Sequence, residues 1–360
     1  MLSVVAPTGI RDCNPSNTEN AIELGYVYGG EILRNNISRF NNGIAVYGGD
    51  ATTLNTVYQA SDVLIQGNTV DRVEGGILSF QSERINIFDN TVTNCSDTCL
   101  DVEGGYDVNF AGNTAKYGRH YVFSTFYNTQ LAVFRQNRIY KGDTYADQNG
   151  NSHQVVTDQL FHTATAPFGA HNIITVAIFD NDLIWEGSAF SLFGKVTKTH
   201  TRKFVFSNNR LTNVAIDLKD PSVGGVYGGA VDIRGNTLTF TRSLGGQPGI
   251  RVGSNNDPNP AGGNQSPQYI ADPWHVIIAG NTFTSPAPQH QGDGITVDQT
   301  CDCTVNTLIE QNQVRGFPVS IRVVGGALHH YAVVFNGTSG SITDQQAANK
   351  NVHSNYAISN

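Results

Sequence analysis

Charge is what this sequence has least of. Asp, Glu, Lys and Arg make up 14% of its 360 residues, where about 25% is usual in soluble domains. The long charged side chains that solvate helix surfaces are therefore scarce, which argues against a helical protein. Methionine occurs once and cysteine five times, too few and too odd in number for a disulfide-built scaffold. No apolar run approaches the ~18 to 20 residues of a membrane-spanning helix, so membrane insertion is not expected. Lys and Arg number 22 against 30 Asp and Glu, a net charge of −8, and they form no long basic run. The electrostatic footprint of a phosphate-backbone binder is missing, and nucleic acid is not an expected partner. The N-terminus lacks the charged and apolar stretches of a secretion signal. It begins almost at once in strand-like sequence, which reads as the start of a piece whose upstream part is missing.

What remains is β-forming. Hydrophobic residues make up 39% and aromatics 9% of the chain, with 38 glycines, enough for a substantial core without helix-forming composition. The organisation is repetitive. An Asn followed by a short β-forming run recurs at Asn36, Asn68, Asn90, Asn113, Asn137, Asn181, Asn209, Asn236, Asn281 and Asn312. From Asn68 to Asn137 the spacings are 22, 23 and 24 residues, and from Asn181 to Asn236 they are 28 and 27. Alternating segments precede most markers (Val63–Ile65, Ile85–Phe88, Val108–Phe110), and a second set opened by small residues follows (Gly76–Phe80, Cys99–Glu103, Gly294–Asp298). Period-2 alternation broken by glycine is strand, turn, strand. Repetition at about 22 residues with little helix signal predicts a parallel β-solenoid whose coils stack at about 4.8 Å. Asn side chains stacked at one turn can hydrogen-bond along the column, which gives the marker a physical reason.

The pattern over roughly residues 20–330 resembles the right-handed parallel β-helix proteins of the pectate-lyase-like kind. That resemblance implies an all-β fold of roughly 11 to 12 coils. The expected division is a lead-in over 1–20, the β-helix over 21–330, and a C-terminal cap or tail over 331–360. Residues 141–158 and 253–273 read as loop insertions, and 221–229 is rich in glycine. Insertions in solenoids fall at turns, where they either wall a binding face or decorate the surface.

Aligning the second strand set on its inward aliphatic residues gives two outward columns. One runs Ala45, Leu78, Asp101, Ser124, His162, Ser191, Asp217, Arg251, Thr296, Arg322; the other runs Tyr47, Phe80, Glu103, Phe126, Ala164, Phe193, Lys219, Gly253, Asp298, Val324. Tyr47, Phe80, Phe126 and Phe193 would then form an aromatic strip suited to the apolar faces of sugar rings, or else pack under a loop or a partner subunit. The densest acidic cluster is Asp97, Asp101 and Glu103. Asp101 and Glu103 share a face with carboxyls about 5 to 8 Å apart, within the range of paired-carboxylate glycoside hydrolases. Repulsion and the aromatic neighbours should raise one pKa, as a general acid requires. The alternative is solvated acids at a strand edge or a carboxylate ladder. Arg119, His120 and Tyr121 open the neighbouring coil and could orient a uronate or supply a base. His162 and Asp217 lie roughly 10 to 15 Å or more from Asp101, and with Arg251 they suit subsites or a clamp on an acidic sugar. Arg322 could share that clamp with Arg251, and Asp293 and Asp298 repeat the shape of the main acidic cluster at lower density.

The Asp-x-x-x-Asp-x-Glu-Gly run from Asp97 to Gly104 looks like segments of β-helix polysaccharide depolymerases, phage tailspikes among them. The resemblance implies a glycoside hydrolase acting on a bacterial surface or capsular glycan, assembled as a homotrimer and found outside the cell or on a virion. A polysaccharide lyase or uronate epimerase is the alternative, and a non-catalytic glycan-binding or adhesive solenoid the third. The Gly-His-Gly and Arg-Ile-Lys elements of polygalacturonases and the Arg-x-Pro-x-x-Arg of pectate lyases are not found, which disfavours those chemistries. No metal or other cofactor is expected. The cysteines are expected chiefly as buried thiols; Cys95 and Cys99 could meet across a turn, whereas Cys301 and Cys303 lie too far apart along a strand to bridge without strain.

Overall fold

A computed structural model of the chain describes residues 2–5, 10–11, 20–49, 59–126, 129–164, 173–187, 194–198, 201–220, 230–241, 246–254, 274–285, 292–299, 305–325, 329–345 and 349–358. The chain forms two compact units, Met1–Ala166 with His171–Phe190, and Pro167–Ala170 with Ser191–Asn360.

In the first unit each circuit of the chain adds one strand to each of three parallel sheets. One circuit contributes Ser82–Phe88 to the first sheet, Thr91–Cys95 to the second and Thr98–Glu103 to the third. These strands pair with Ala60–Gln66, Thr69–Val73 and Gly75–Phe80 before them. They pair with Tyr106–Ala111, Thr114–Gly118 and Tyr121–Phe126 after them. The second unit repeats the plan. Trp274–Ala279, Thr282–Thr284 and Asp293–Gln299 pair in parallel with Val305–Glu310, Gln313–Arg315 and Val319–Val324.

Period 2 decides what each strand buries. In the first unit Ile65, Ile87, Phe110 and Phe134 of the first sheet, Val70, Val92 and Ala115 of the second, and Ile77, Leu100, Phe123 and Phe161 of the third are fully buried. Each such aliphatic or aromatic side chain contributes about 1.5 to 3 kcal/mol. Phe110 and Phe134 stack at 4.6 Å between ring centroids, and Phe123 meets Phe134 edge-on at 5.0 Å. Like residues on successive coils therefore form continuous columns inside the coil.

The corner between the first and second sheets explains the Asn marker. Arg34, Gly67, Asp89, Gly112, Gln136 and Asp180 all have φ between 54° and 69°, a left-handed conformation that side chains other than Asn, Asp and Gly pay for. Each is followed by a buried Asn. Asn68, for example, donates from its backbone N–H and its Nδ2 to Asn90 Oδ1 at 2.9 and 3.0 Å, and from Nδ2 also to the Ile32 carbonyl at 2.8 Å. The same pattern links Asn90 to Asn113, Asn113 to Asn137, and Asn137 to Asn181. In the second unit Asn209, Asn236, Asn281, Asn312, Asn336 and Asn355 form an equivalent ladder. The first rung among the described residues is Asn35 rather than the expected Asn36, since Asn35 is the buried partner of Asn68 while Asn36 is exposed. With two adjacent asparagines, only the placement of Ile37 inside the coil decides which one turns inward.

Close approach at the next corner requires glycine. A Cβ on Gly76 would lie 2.1 Å from the Cys99 carbonyl oxygen and 2.4 Å from Val92 Cγ1. Cys99 itself forms a disulfide with Cys95, which corrects the expectation of buried thiols at these two positions. The turn between the strands Thr91–Cys95 and Thr98–Glu103 brings their Cα atoms to 5.3 Å, within bridging range. Cys301 and Cys303 lie outside the described residues.

The insertion near 141–158 is ordered. It carries a hairpin of Thr144–Ala146 and Ser152–Gln154, and its tip folds back so that Gln148 Nε2 donates to the Phe40 carbonyl at 2.8 Å. In the segment expected as a lead-in, Leu2–Val5 and Ile10–Arg11 pair with the next coil. In the segment expected as a cap, strands continue in parallel register as far as Tyr356–Ala357. Most of 253–273 and all of 221–229 lie outside the described residues.

Candidate active site

In the first unit the outward columns of the third sheet are paired as their sequence alignment requires. Ala45, Leu78, Asp101, Ser124 and His162 are successive partners, as are Tyr47, Phe80, Glu103, Phe126 and Ala164. In the second unit Asp217, Arg251, Thr296 and Arg322 follow one another. Thr197, and not Ser191, is the residue beside Asp217. Phe193 and Ser191 lie outside the described residues.

Asp101 faces away from the core, between Leu100 and Val102, yet it is only 5% exposed. Ser124 Oγ donates to its Oδ1 at 2.7 Å, and the Glu103 carboxyl hydrogen-bonds to the Asp101 carboxyl. Burial, followed by the charge of Glu103, pushes the Asp101 pKa well above its ordinary value; Asp97 adds to the rise and the Ser124 hydrogen bond opposes it. Two carboxyls can hydrogen-bond only if one keeps its proton, so burial and pairing keep a proton on this pair well above the pH at which a free carboxylic acid loses it. Glu103 is the more exposed member and faces whatever lies along the sheet.

A second polar pair stands one turn away. His120 Nδ1 and Asp97 Oδ1 are 2.6 Å apart. Asp97 is held by the Cys95–Cys99 disulfide and by its own N–H on the Glu74 carbonyl at 2.9 Å, while the His120 N–H donates to the Asp97 carbonyl at 3.1 Å. In a neutral imidazole a carboxylate acceptor on Nδ1 selects the Nδ1–H tautomer, with Nε2 as acceptor. Tyr121 follows directly. Burial, then the charges of Asp97 and Asp101, raise its pKa, so its hydroxyl remains a donor. Its ring stacks on His162 at 4.6 Å and meets Phe126 at 6.0 Å. Burial takes the His162 pKa down to about 4, which makes that imidazole a neutral ring wall.

Aromatic rings extend on the other side of the carboxylates. Tyr47 and Phe80 are 6.2 Å apart, and Tyr26 meets Tyr47 edge-on at 5.6 Å. Tyr26 was not legible as a site residue because it follows its strand instead of lying in a column. Gly25 is the register partner of Tyr47, and the ring that meets Tyr47 from this coil comes from the next residue, Tyr26. The signal in the sequence is that glycine beside the aromatic pair Tyr47 and Phe80 in the column.

Arg119 and His120 are anchored from behind by the insertion. The Val156 N–H donates to the Arg119 carbonyl at 3.1 Å, and both Thr157 Oγ1 and Lys141 Nζ donate to the His120 carbonyl. Lys141 Nζ also reaches Thr157 Oγ1 at 3.2 Å and the Gln159 carbonyl at 3.1 Å. Lys141 is fully buried, and burial takes its pKa down to about 7 against a pull upward from Asp158. The unfolded chain therefore binds a proton between pH 7 and 10.5 that the folded chain does not, and stability must rise with pH across that window. At about 1.4 kcal/mol per unit the full rise is about 5 kcal/mol. Unfolding titrations of the wild type and of Lys141→Met should differ by the loss of this rise in the variant.

Asp217 and Arg251 belong to the second unit and neutralise each other. Arg251 Nε and Nη2 lie 2.8 and 2.7 Å from the two Asp217 oxygens. Arg322 is likewise forked onto Asp293 at 2.5 and 3.1 Å. These guanidiniums already have a carboxylate, so the structure gives the expected clamp on an acidic sugar no open cation at either position. Among the described residues no group of three or more His, Cys, Asp or Glu is placed to hold a metal ion.

Comparison with known families agrees with this architecture. Residues 5–160 match the family model described as a right handed beta helix region, and the fold is a right-handed parallel β-helix. No curated protein matches the chain. The architecture is compatible with enzymes that act on polysaccharides and with proteins that bind them.

Proposed function

We propose that this chain is a polysaccharide depolymerase working as a glycoside hydrolase. The observation that carries the reading is the buried, proton-holding Asp101–Glu103 pair set in a run of aromatic rings along one sheet. A sugar chain lying along the coil axis would stack on Tyr47, Phe80 and Phe126 and bring a glycosidic oxygen over Glu103. Glu103 passes the proton it shares with Asp101 to the leaving oxygen, Asp97, braced by His120, takes the proton of the attacking water, and exchange through solvent returns that proton to the pair. The same water then gives the new reducing end. Incubation with a bacterial capsular or surface polysaccharide should release reducing ends without the absorbance of an unsaturated uronate.

Tyr47→Ala and Phe126→Ala should each raise KM about fivefold with kcat little changed, since stacking is made equally in the ground and transition states. Steady-state kinetics on an oligosaccharide series checks this.

One observation favours a second reading. The Asp97–His120 pair beside Tyr121 has the form of a base and a hydroxyl donor, as abstraction of a C5 proton from a uronate by a lyase or epimerase requires. Unsaturated product, or epimerised uronate without cleavage, would establish that reading; saturable binding with neither would leave a glycan-binding or adhesive solenoid. The resemblance to tailspikes extends the proposal to a homotrimer outside the cell or on a virion, acting on a bacterial surface glycan. The Cys95–Cys99 disulfide supports an oxidising location. Light scattering of the purified protein gives the subunit number.

A further inference from the structure

Apart from the carboxylate pair, the first unit contains a cleft of about 550 Å³ between the insertion hairpin and the second sheet. Its polar walls come from Asn94, Tyr117, Ser152, Gln154 and Glu186, and Tyr145 provides a further ring. We propose that this cleft is a second, non-catalytic binding site for an uncharged sugar unit.

Three features point to that ligand. The first is an unsatisfied donor. Trp185 is 2% exposed and its indole N–H has no hydrogen-bond partner, a costly arrangement for a buried donor. Its ring lies against Gly187, which lines the cleft: a Cβ there would stand 2.7 Å from Trp185 Cε2, the carbon bonded to Nε1. A hydroxyl oxygen seated by Gly187 would be an acceptor for that N–H.

The second feature is charge. The cleft is lined by the carboxylates of Asp143 and Glu186 and by no Lys, Arg or His among the described residues. A uronate, phosphate or sulfate would meet repulsion without a compensating cation. A neutral sugar presents hydroxyl donors that these carboxylates accept.

The third is a set of polar groups held in place around a ring wall. Tyr117 donates to Glu186 Oε2 at 2.8 Å, with its hydroxyl kept protonated by a pKa pushed up to about 12 by burial and by that bond. Asn94 is fixed by donating to Asp71 Oδ1 at 2.9 Å and accepting from the Ala146 N–H at 3.2 Å. Ser152 and Gln154 are exposed on the hairpin's return strand and can complete hydrogen bonds to hydroxyls. The combination of rings, hydroxyl-matched acceptors and a buried N–H is the chemistry of saccharide recognition. The site goes beyond the depolymerase reading and does not depend on it, because its occupation is read without cleavage.

The chain has two tryptophans, so Trp274→Phe leaves Trp185 as the sole indole reporter. Glucose, galactose and N-acetylglucosamine are titrated into this protein at millimolar concentrations, with glucuronate as the anionic comparison. The expected result is a saturable change of Trp185 emission with at least one neutral sugar and none with glucuronate. Gln154→Ala and Tyr117→Ala should each weaken that response at least fivefold, and Asp101→Asn should leave it unchanged. No saturable response to any neutral sugar overturns the proposal. So does an equal response to glucuronate, or a response that Gln154→Ala and Tyr117→Ala both leave intact, which would place the sugar elsewhere.

Discussion

Asp101→Asn is expected to abolish glycan cleavage and at the same time make the protein more stable at neutral pH. Asn is isosteric with Asp; it can still accept from Ser124 Oγ, and its Nδ2 can donate to Glu103 where the carboxyl proton did. What it cannot do is release a proton. Removing a general acid costs about 10² to 10⁴ in rate, and Glu103→Gln should lose as much, with binding to the aromatic strip retained in both. The stability effect follows from the sign of the pKa change. Asp101 titrates higher in the folded protein than at its ordinary 3.8, so the folded state retains a proton that the unfolded state releases. The group's contribution is full below pH 3.8 and is lost as pH rises through the folded value. Above that window the buried carboxyl is a burden that Asn removes. Melting temperature should therefore fall as pH rises above 3.8 in the wild type more than in the variant, and activity should fall where the pair loses its proton. Full activity in both Asp101→Asn and Glu103→Gln would exclude this pair from the chemistry.

Asn113→Ala is expected to destabilise the protein by about 4 kcal/mol, a large part of the stability of an ordinary domain. The side chain sits mid-ladder. Its removal takes the acceptor from the Asn90 N–H and from Asn90 Nδ2, and the donor from the Ile87 carbonyl. Asn137 Oδ1 keeps only the Asn113 backbone N–H. These groups are buried, so water cannot replace the lost partner, and each orphan costs about 1 to 3 kcal/mol. Asn36→Ala provides the contrast. Asn36 is exposed beside the first rung and its loss should change stability by no more than about 0.5 kcal/mol. Chemical denaturation of the two variants measures the difference directly, and equal effects would contradict the ladder as the corner's support.

These two residues differ in how far the sequence revealed them. The Asn column was legible because a solenoid repeats one environment on every coil, so one structural requirement is written many times. The same redundancy made the register of the third sheet readable: Leu100 and Val102 must face inward, and period 2 then puts Asp101 beside Ser124 and Glu103 beside Phe126. Where two candidates were adjacent, as at Asn35 and Asn36, repetition alone could not choose between them. At Ser191 and Thr197 an irregular spacing between coils hid which residue stands beside Asp217.

The sequence by itself determined the class of fold, the columns of outward residues from Ala45 to His162 and from Tyr47 to Ala164, and the carboxylates that share a face. All of these follow from periodicity, which is a local property of the chain. Only the tertiary structure decided that Asp101 is buried enough to keep a proton, that Cys95 closes onto Cys99, and that Asp97 holds His120. It also decided that Asp217 occupies Arg251 and that Lys141 lies buried under the His120 carbonyl. Those facts depend on distances between coils and on what the insertion covers. Desolvation and pairing are set by neighbours distant in sequence, and no repeat encodes them.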